Sequence, residues 1–208
     1  MASPRPMKKV KAPVAAEICA RYELREDARP LLTPTATPRE FLEALEARER
    51  HASALSFLAH ALPPREAVWW GCLCLRQASA DALPPAEADA LKSAAEWVLE
   101  PTEERRRVST GHAEAAGVGS AAGCLATAVG WTGGSLSPPD PKIPVVPPGP
   151  HLPAKAVAGA VLLASARAEP AHIAGVQRSF VELGVGVAEG RFSWPDVKPR
   201  PPRGTWRR

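Results

Sequence analysis

Residues 65–79, REAVWWGCLCLRQAS, follow a pair of prolines and decide the fold of this chain. On a helical wheel the stretch leaves almost no polar face, because its valine, tryptophans, cysteines and leucines are spread around the axis. A helix that is apolar all round is buried at the centre of a protein or packed on two sides. The stretch therefore predicts a central helix, with Pro64 in its first turn.

The paired side chains of this stretch look like a reactive cluster, but helical geometry separates them. Cys72 and Cys74 are two positions apart, about 200° around a helix, so they cannot share a metal ion or form a local disulfide. Trp69 and Trp70 also point in different directions. At least one is expected in the core, and Trp69 is our candidate for an anchor at a protein interface, a role that tryptophan favours.

Helical signals dominate the rest of the chain. Thr37, Pro38 and Glu40 form a capping-box start before FLEALEARER, a strong helix-initiation pattern. Other helical segments are predicted at 15–24, 51–62, 86–100, 103–117, 120–131, 153–168 and 171–190. No stretch shows the alternation typical of a strand. The prediction is an all-α fold, a compact helical bundle of about eight helices, although the spacing is also typical of stacked helical hairpins.

Residues 132–153, TGGSLSPPDPKIPVVPPGPHLP, contain eight prolines. Proline removes a backbone donor and breaks helices, so this segment predicts an extended, proline-rich loop. Helical segments follow it and must return to the same core, so we expect a stiff loop within a single domain that spans residues 12–192. The alternative is a proline-rich docking segment.

The net charge of +4 is concentrated at the two ends of the chain. Residues 1–11 carry +4 and residues 193–208 carry +4, which leaves −4 for the body. Both ends contain prolines and few apolar residues, so they predict disordered basic tails. Such tails bind nucleic acid, acidic protein surfaces or anionic lipid. The candidates for anion binding are Lys8, Lys9, Lys11, Arg203, Arg207 and Arg208.

No pattern of catalytic or metal-binding residues stands out, so neither a metal nor a cofactor is predicted. The segment GVGSAAG, residues 117–123, lacks the preceding strand and the following lysine of a phosphate-binding loop, so it predicts a turn between helices. An enzyme would have to use His60, Glu66 and Asp140. The first two are already explained as charges that suit helix ends.

The cellular location follows from the apolar runs and the cysteines. No run reaches the roughly 20 residues of a membrane span, and the N-terminus has no apolar signal segment. Four cysteines without metal spacing are typical of free thiols in a reducing compartment. A cytoplasmic protein with no membrane insertion is therefore expected.

Three segments carry a resemblance to a known family: LAHALPPREAVWW at 58–70, GWTGGSLSPPD at 130–140 and PHLPAKAVAGAVLLA at 150–164. Together they resemble an uncharacterised bacterial all-helical family of about this length, whose genes are associated with type VI secretion loci. The resemblance covers residues 15–194 and implies an accessory of a contractile injection machine. It implies no catalytic residues.

The expected function is a non-enzymatic accessory or adaptor protein of a type VI-like secretion system. Its partners would be proteins of the secretion machine or its effectors. The candidate contact residues are Arg65, Glu66, Trp69, Trp131 and Asp140. The alternative is a nucleic-acid-associated protein that binds through its basic tails, with affinity that falls steeply as salt rises.

Overall fold

The computed structural model describes residues 5–79, 83–137 and 142–194. All regular structure in these ranges is helical, which confirms the all-α prediction. Two short 3-10 helices, Arg29–Leu31 and Pro170–His172, accompany the α-helices. The nine α-helices found there are α1 Ala15–Cys19, α2 Pro38–Ala47, α3 His51–Ala61, α4 Pro64–Ala78, α5 Pro85–Leu99, α6 Glu103–Ala116, α7 Ala121–Gly130, α8 Leu152–Ser165 and α9 Ile173–Ala188.

Helix α4 lies at the centre of the bundle, as its sequence predicts. It contacts α3, α5, α7, α8 and α9. Trp70 is fully buried, and its Nε1 donates a hydrogen bond to the Phe180 carbonyl of α9 at 2.9 Å. Gly184 allows α9 to approach this closely, since a Cβ there would lie 2.8 Å from Leu58 Cδ1. The central helix is therefore enclosed on several sides.

The start of α2 is determined by residues that are close together in the sequence. The Thr37 backbone N–H donates to Glu40 Oε2 at 2.8 Å, and the Glu40 N–H donates to Thr37 Oγ1 at 3.3 Å. This is the predicted capping box. The hydrogen bonds from Thr37 lower the pKa of the Glu40 carboxyl, because they favour its charged form.

Contacts between distant parts of the chain show that the helices form a bundle and not a stack of hairpins. Helices α3 and α4 both pack against α8 and α9, which come much later in the chain. Repeats in a helical solenoid contact only their neighbours. The compact bundle is therefore the correct one of the two predicted arrangements.

The predicted proline-rich loop, residues 132–153, is not helical in its described part up to residue 151, and its last two residues begin α8. Several hydrogen bonds fold it back on itself, among them one from the Val146 N–H to Ser135 Oγ at 3.0 Å. The Leu136 N–H donates to the Val146 carbonyl at 2.8 Å, and Ser137 Oγ donates to the Pro144 carbonyl at 2.9 Å. Asp140, one of the candidate contact residues, lies outside the described residues.

Residues 5–11 do not form the predicted disordered tail. The Lys9 N–H donates to the Ala188 carbonyl at the end of α9, at 2.9 Å. Met7 and Val10 are partly buried against the core, so the segment gains apolar contacts that its composition did not suggest. Trp194, assigned to the other tail, also packs against the core. Arg203, Arg207 and Arg208 lie outside the described residues.

Candidate functional site

An open groove lies beside α6 and α7 and is closed on one side by the chain that follows α7. Its volume is about 680 Å³. Large apolar side chains line it, and they are exposed to an unusual degree: Val118 by 68 % and Leu136 by 46 %. Trp131 lines the same groove and is half-buried. We call this surface, defined by Val118, Thr127, Trp131 and Leu136, the α6–α7 groove.

A buried arginine, Arg106, holds the walls of the α6–α7 groove together. Its Nε and Nη2 donate to the two carboxylate oxygens of Glu103, at 2.6 and 2.8 Å. Its Nη1 donates to the Gly130 carbonyl at the end of α7, and its Nη2 reaches the Ser135 carbonyl at 3.3 Å. One guanidinium therefore ties α6 to the end of α7 and to the loop.

Charged side chains of both signs lie around the α6–α7 groove. The hydrogen bonds from Arg106 lower the pKa of Glu103. Arg107 forms a second ion pair with Glu103 at 2.7 Å, and the exposed Glu114 stands on the same lining. Charges of both signs thus surround an apolar interior. Such a surface suits the binding of apolar side chains more than acid–base chemistry.

Arg65 and Glu66 lie together at the start of α4, and both have partners within the protein. Arg65 Nε donates to the Val98 carbonyl at 2.8 Å and Nη2 to the Leu99 carbonyl at 3.2 Å, so the side chain caps the end of α5. The guanidinium also stacks 4.2 Å from the centre of the Trp194 ring. Glu66 forms a salt bridge with Lys9 at 3.1 Å.

Trp69 is buried, and its Nε1 donates to the Phe192 carbonyl at 3.0 Å. The prediction that at least one member of the tryptophan pair lies in the core is confirmed, because both do. Trp69 is not an exposed anchor, since the chain after α9 covers it. The structure thus brings Arg65, Glu66 and Trp69 together under residues from both ends of the described chain.

Burial keeps the side chains of Cys72, Cys74 and His60 uncharged. Burial raises the pKa of the Cys72 thiol to about 12 and that of Cys74 well above its usual value, so both remain protonated near neutral pH. Burial lowers the pKa of His60, whose Nδ1 lies 2.9 Å from the Ser56 carbonyl. These groups are in their neutral forms near neutral pH.

Two further findings concern metals and membranes. Within residues 5–79, 83–137 and 142–194, no three His, Cys, Asp or Glu side chains are grouped so that they could hold a metal ion. In the same part of the chain, no helix combines the length and the apolar character needed to cross a bilayer.

Of the residues that line the groove, only Trp131 was singled out from the sequence. Val118 lies in a short turn among glycines and Leu136 stands alone between serines. Neither belongs to a periodic apolar pattern, so their clustering depends on how α6 and α7 pack. The one available signal was the placement of isolated apolar residues in segments that otherwise predict turns.

Comparison with known proteins places the chain in a family. Residues 41–188, more than half of its length, match the model of a family described as a family of unknown function (DUF6931). The chain belongs to the DUF6931 family. The DUF6931 match contains both α4 and the α6–α7 groove, whereas Lys9, Phe192 and Trp194 lie outside it. No curated protein and no solved structure matches the chain.

Proposed function

We propose that this DUF6931 protein is a non-enzymatic accessory or adaptor, and that it binds an apolar segment of a partner protein in the α6–α7 groove. The observation that carries this proposal is the exposure of Val118 and Leu136, 68 % and 46 %, on one concave surface beside the half-buried Trp131. Exposed apolar side chains gathered on a concave surface are typical of binding sites for other molecules.

The geometry of the groove suits a protein partner. Trp131 supplies a partly exposed indole of the kind that dominates binding energy at protein interfaces. The polar rim, with Arg107 and Glu114, resembles the polar edge that surrounds the apolar centre of an interface. Arg106 fixes both walls through its hydrogen bonds to the Gly130 and Ser135 carbonyls, so little ordering is needed on binding.

We further propose that the partner belongs to a type VI-like contractile secretion system, either as a machine component or as an effector. The support for this is the sequence resemblance carried by residues 58–70, 130–140 and 150–164. The second of these segments contains Trp131 and Leu136, so the segment that carries the resemblance also supplies groove residues.

A photo-crosslinking experiment tests the groove and the partner together. A photoreactive amino acid would replace Leu136 or Val118 in the groove, with Val108 as a matched control, since Val108 is 48 % exposed on α6 but does not line the groove. We expect the two groove positions, and not Val108, to crosslink to one secretion-system protein in cells that make this protein naturally. Equal labelling from all three positions, or a partner unrelated to secretion, would contradict the proposal.

A charge placed in the groove should weaken partner binding. We expect Leu136→Asp to reduce the affinity for the crosslinked partner about tenfold or more, because a carboxylate would be buried against apolar side chains. The reduction would be measured by titration of the purified partner. Val108→Asp, equally charged and equally exposed, should change the affinity less than about twofold. Circular dichroism would show that both variants fold.

The basic ends support a second candidate function, nucleic-acid binding. Lys9 Nζ lies 5.9 Å from the centre of the Trp194 ring, so the segment before α1 and the residues that lead into 195–208 meet at one place. Residues 1–11 and residues 193–208 each carry +4. A concentrated positive charge of this kind attracts a polyanion.

Fluorescence anisotropy with labelled DNA would test this candidate. Lys9 belongs to the fold, so the variant would combine Lys8→Gln and Lys11→Gln with removal of residues 195–208. We expect the affinity of the full chain to fall steeply with salt, and the variant to lose binding at about 0.15 M salt. Equal binding by the variant would reject this function.

A further inference from the structure

The proline-rich loop presents a second exposed apolar surface beside the α6–α7 groove. In the segment IPVV, residues 143–146, Val145 is 75 % exposed, Val146 47 % and Ile143 41 %. Val145 is the most exposed large apolar side chain in the described part of the chain. We call residues 143–146 the loop ridge. Exposed apolar side chains that cluster in this way are typical of contacts with another molecule.

The loop ridge is anchored to one wall of the α6–α7 groove. The Val146 carbonyl accepts from the Leu136 N–H at 2.8 Å, and the Val146 N–H donates to Ser135 Oγ at 3.0 Å. Ser137 Oγ donates to the Pro144 carbonyl at 2.9 Å. Because Ser135, Leu136 and Ser137 all line the groove, the ridge and the groove lie on the two sides of a shared wall.

The loop ridge is held in one shape before any contact forms. Pro144 and Pro147 fix the backbone dihedral φ on either side of Val145 and Val146. Together with the hydrogen bonds to the shared wall, the two prolines leave little backbone freedom to be lost on binding. The same hydrogen bonds keep the ridge on the wall, so it does not enter the groove of its own chain.

The loop ridge and the α6–α7 groove are complementary in apolar character and in charge. The groove offers a concave apolar space of about 680 Å³, and the ridge offers exposed aliphatic side chains. Lys142 is the one charged residue at positions 142–150. Glu114 lines the groove and forms no salt bridge within the described ranges. A ridge seated in a groove therefore brings a cation towards an acid.

The exposed apolar area is close to what one side of a protein interface needs. The large aliphatic side chains of the two surfaces are Val118, Leu136, Ile143, Val145 and Val146. Together they present roughly 400 Å² of exposed surface, against the ~450 Å² of apolar area that each partner buries in a standard interface. Both surfaces are available on every copy of the chain, so a second copy can cover them.

We propose that the loop ridge of one copy occupies the α6–α7 groove of a second copy, and that the two copies exchange ridges about a twofold axis. An axis through the shared wall carries each ridge to the other copy's groove, so both contacts form together and the assembly closes at two chains. Self-association of this kind rests on the proposed function of the groove as a site for apolar segments. It regulates that site, because a partner protein must displace the second copy in order to bind.

Sedimentation velocity of the full chain tests the ridge exchange. We expect monomers at about 1 µM and dimers at about 300 µM, because an interface of this size gives a weak and reversible complex. Val145→Asp should weaken the dimer about tenfold or more, because it would place a carboxylate against apolar side chains in the groove. Val145 is mostly exposed in the single chain, so its replacement should leave the fold intact, which circular dichroism would show.

Val108→Asp is the matched control for Val145→Asp. Val108 is 48 % exposed and lines a shallow surface pocket with Glu96 of α5, outside both the groove and the ridge. The control should therefore leave the dimer unchanged within about twofold. A chain that stays monomeric at about 300 µM, or equal weakening by the two variants, would overturn the proposal.

Photo-crosslinking of the purified chain identifies the two surfaces in contact. A chain with a photoreactive amino acid at Val118 would be mixed with an isotopically labelled chain that lacks it. We expect mass spectrometry to find Val118 joined to residues 142–150 of the labelled copy, whereas a photoreactive amino acid at Val108 should not reach them. Crosslinks confined to one chain, or joined to another segment of the second copy, would reject the ridge as the occupant.

Self-association and the proposed function can fail separately. A monomeric chain whose groove still crosslinks to a secretion-system protein in cells would reject the ridge exchange alone. A dimer that joins ridge to groove, without any crosslink to a secretion-system protein in cells, would reject the proposed partner alone.

Discussion

Replacement of Trp70 by alanine is expected to lower the free energy of unfolding by about 3–5 kcal/mol, the usual cost of removing a large buried aromatic side chain. Trp70 is fully buried and donates to the Phe180 carbonyl at 2.9 Å. The substitution would open a cavity between α3, α4 and α9, where Leu58 and Gly184 contact this region. Urea denaturation followed by circular dichroism would measure the loss.

A second tryptophan provides a matched control for this prediction. Trp131 is half-buried in the α6–α7 groove, so Trp131→Ala removes the same side chain from a partly solvated position. We expect Trp131→Ala to lower the free energy of unfolding by about half as much as Trp70→Ala or less, in proportion to the apolar area removed. The same substitution should weaken partner binding. Equal losses of stability for the two variants would contradict the central position of α4.

Gly123→Ala is expected to destabilise the protein by about 3 kcal/mol, at the upper end of overpacking effects. A Cβ at Gly123 would collide with the Gly117 carbonyl oxygen and lie 2.8 Å from the Gly117 carbonyl carbon. These are backbone atoms, so the turn itself would have to move. Gly117 ends α6 with a φ of +74°, and Ser120 caps α7 by accepting from the Gly123 N–H at 3.0 Å. The Gly117 conformation at the end of α6 and the Ser120 cap of α7 both depend on the close approach of Gly123 to the Gly117 backbone.

Gly111→Ala is the control for Gly123→Ala, and it should change the stability of the protein in the opposite direction. Gly111 lies within α6, and a Cβ there would meet nothing within 4 Å. Alanine in place of glycine in a helix interior stabilises by about 1 kcal/mol. The midpoint of thermal unfolding should therefore rise for Gly111→Ala and fall for Gly123→Ala. A shift in the same direction for both would show that α6 and α7 do not meet as described.

The features that the sequence predicts well are those set by neighbouring residues. The capping box of Thr37 and Glu40 involves side chains three positions apart. The central position of α4 follows from an apolar pattern that leaves no face for solvent. The turn at 117–120, shorter than the predicted 117–123, follows from its glycines and from the capping serine. In each case local geometry decides the outcome, so one stretch of sequence is sufficient.

The features that the sequence does not predict depend on residues far apart in the chain. Lys9 reaches Glu66 and the Ala188 carbonyl, and no local pattern connects these positions. The composition of residues 5–11 therefore suggested a tail, although Met7 and Val10 lend it apolar contacts. The groove was missed for the same reason. Its walls meet through Arg106, whose carbonyl partners lie 24 and 29 residues away.

The hydrogen bond between Trp70 and Phe180 has a consequence for how the chain is made. The two residues are 110 positions apart, and a ribosome adds about 5–20 residues per second. Helix α4 therefore leaves the ribosome several seconds before α9 exists to cover it. During that interval an apolar surface with two tryptophans stays open to other chains. Newly made chains of this protein should accordingly depend on chaperones until α9 has been synthesised.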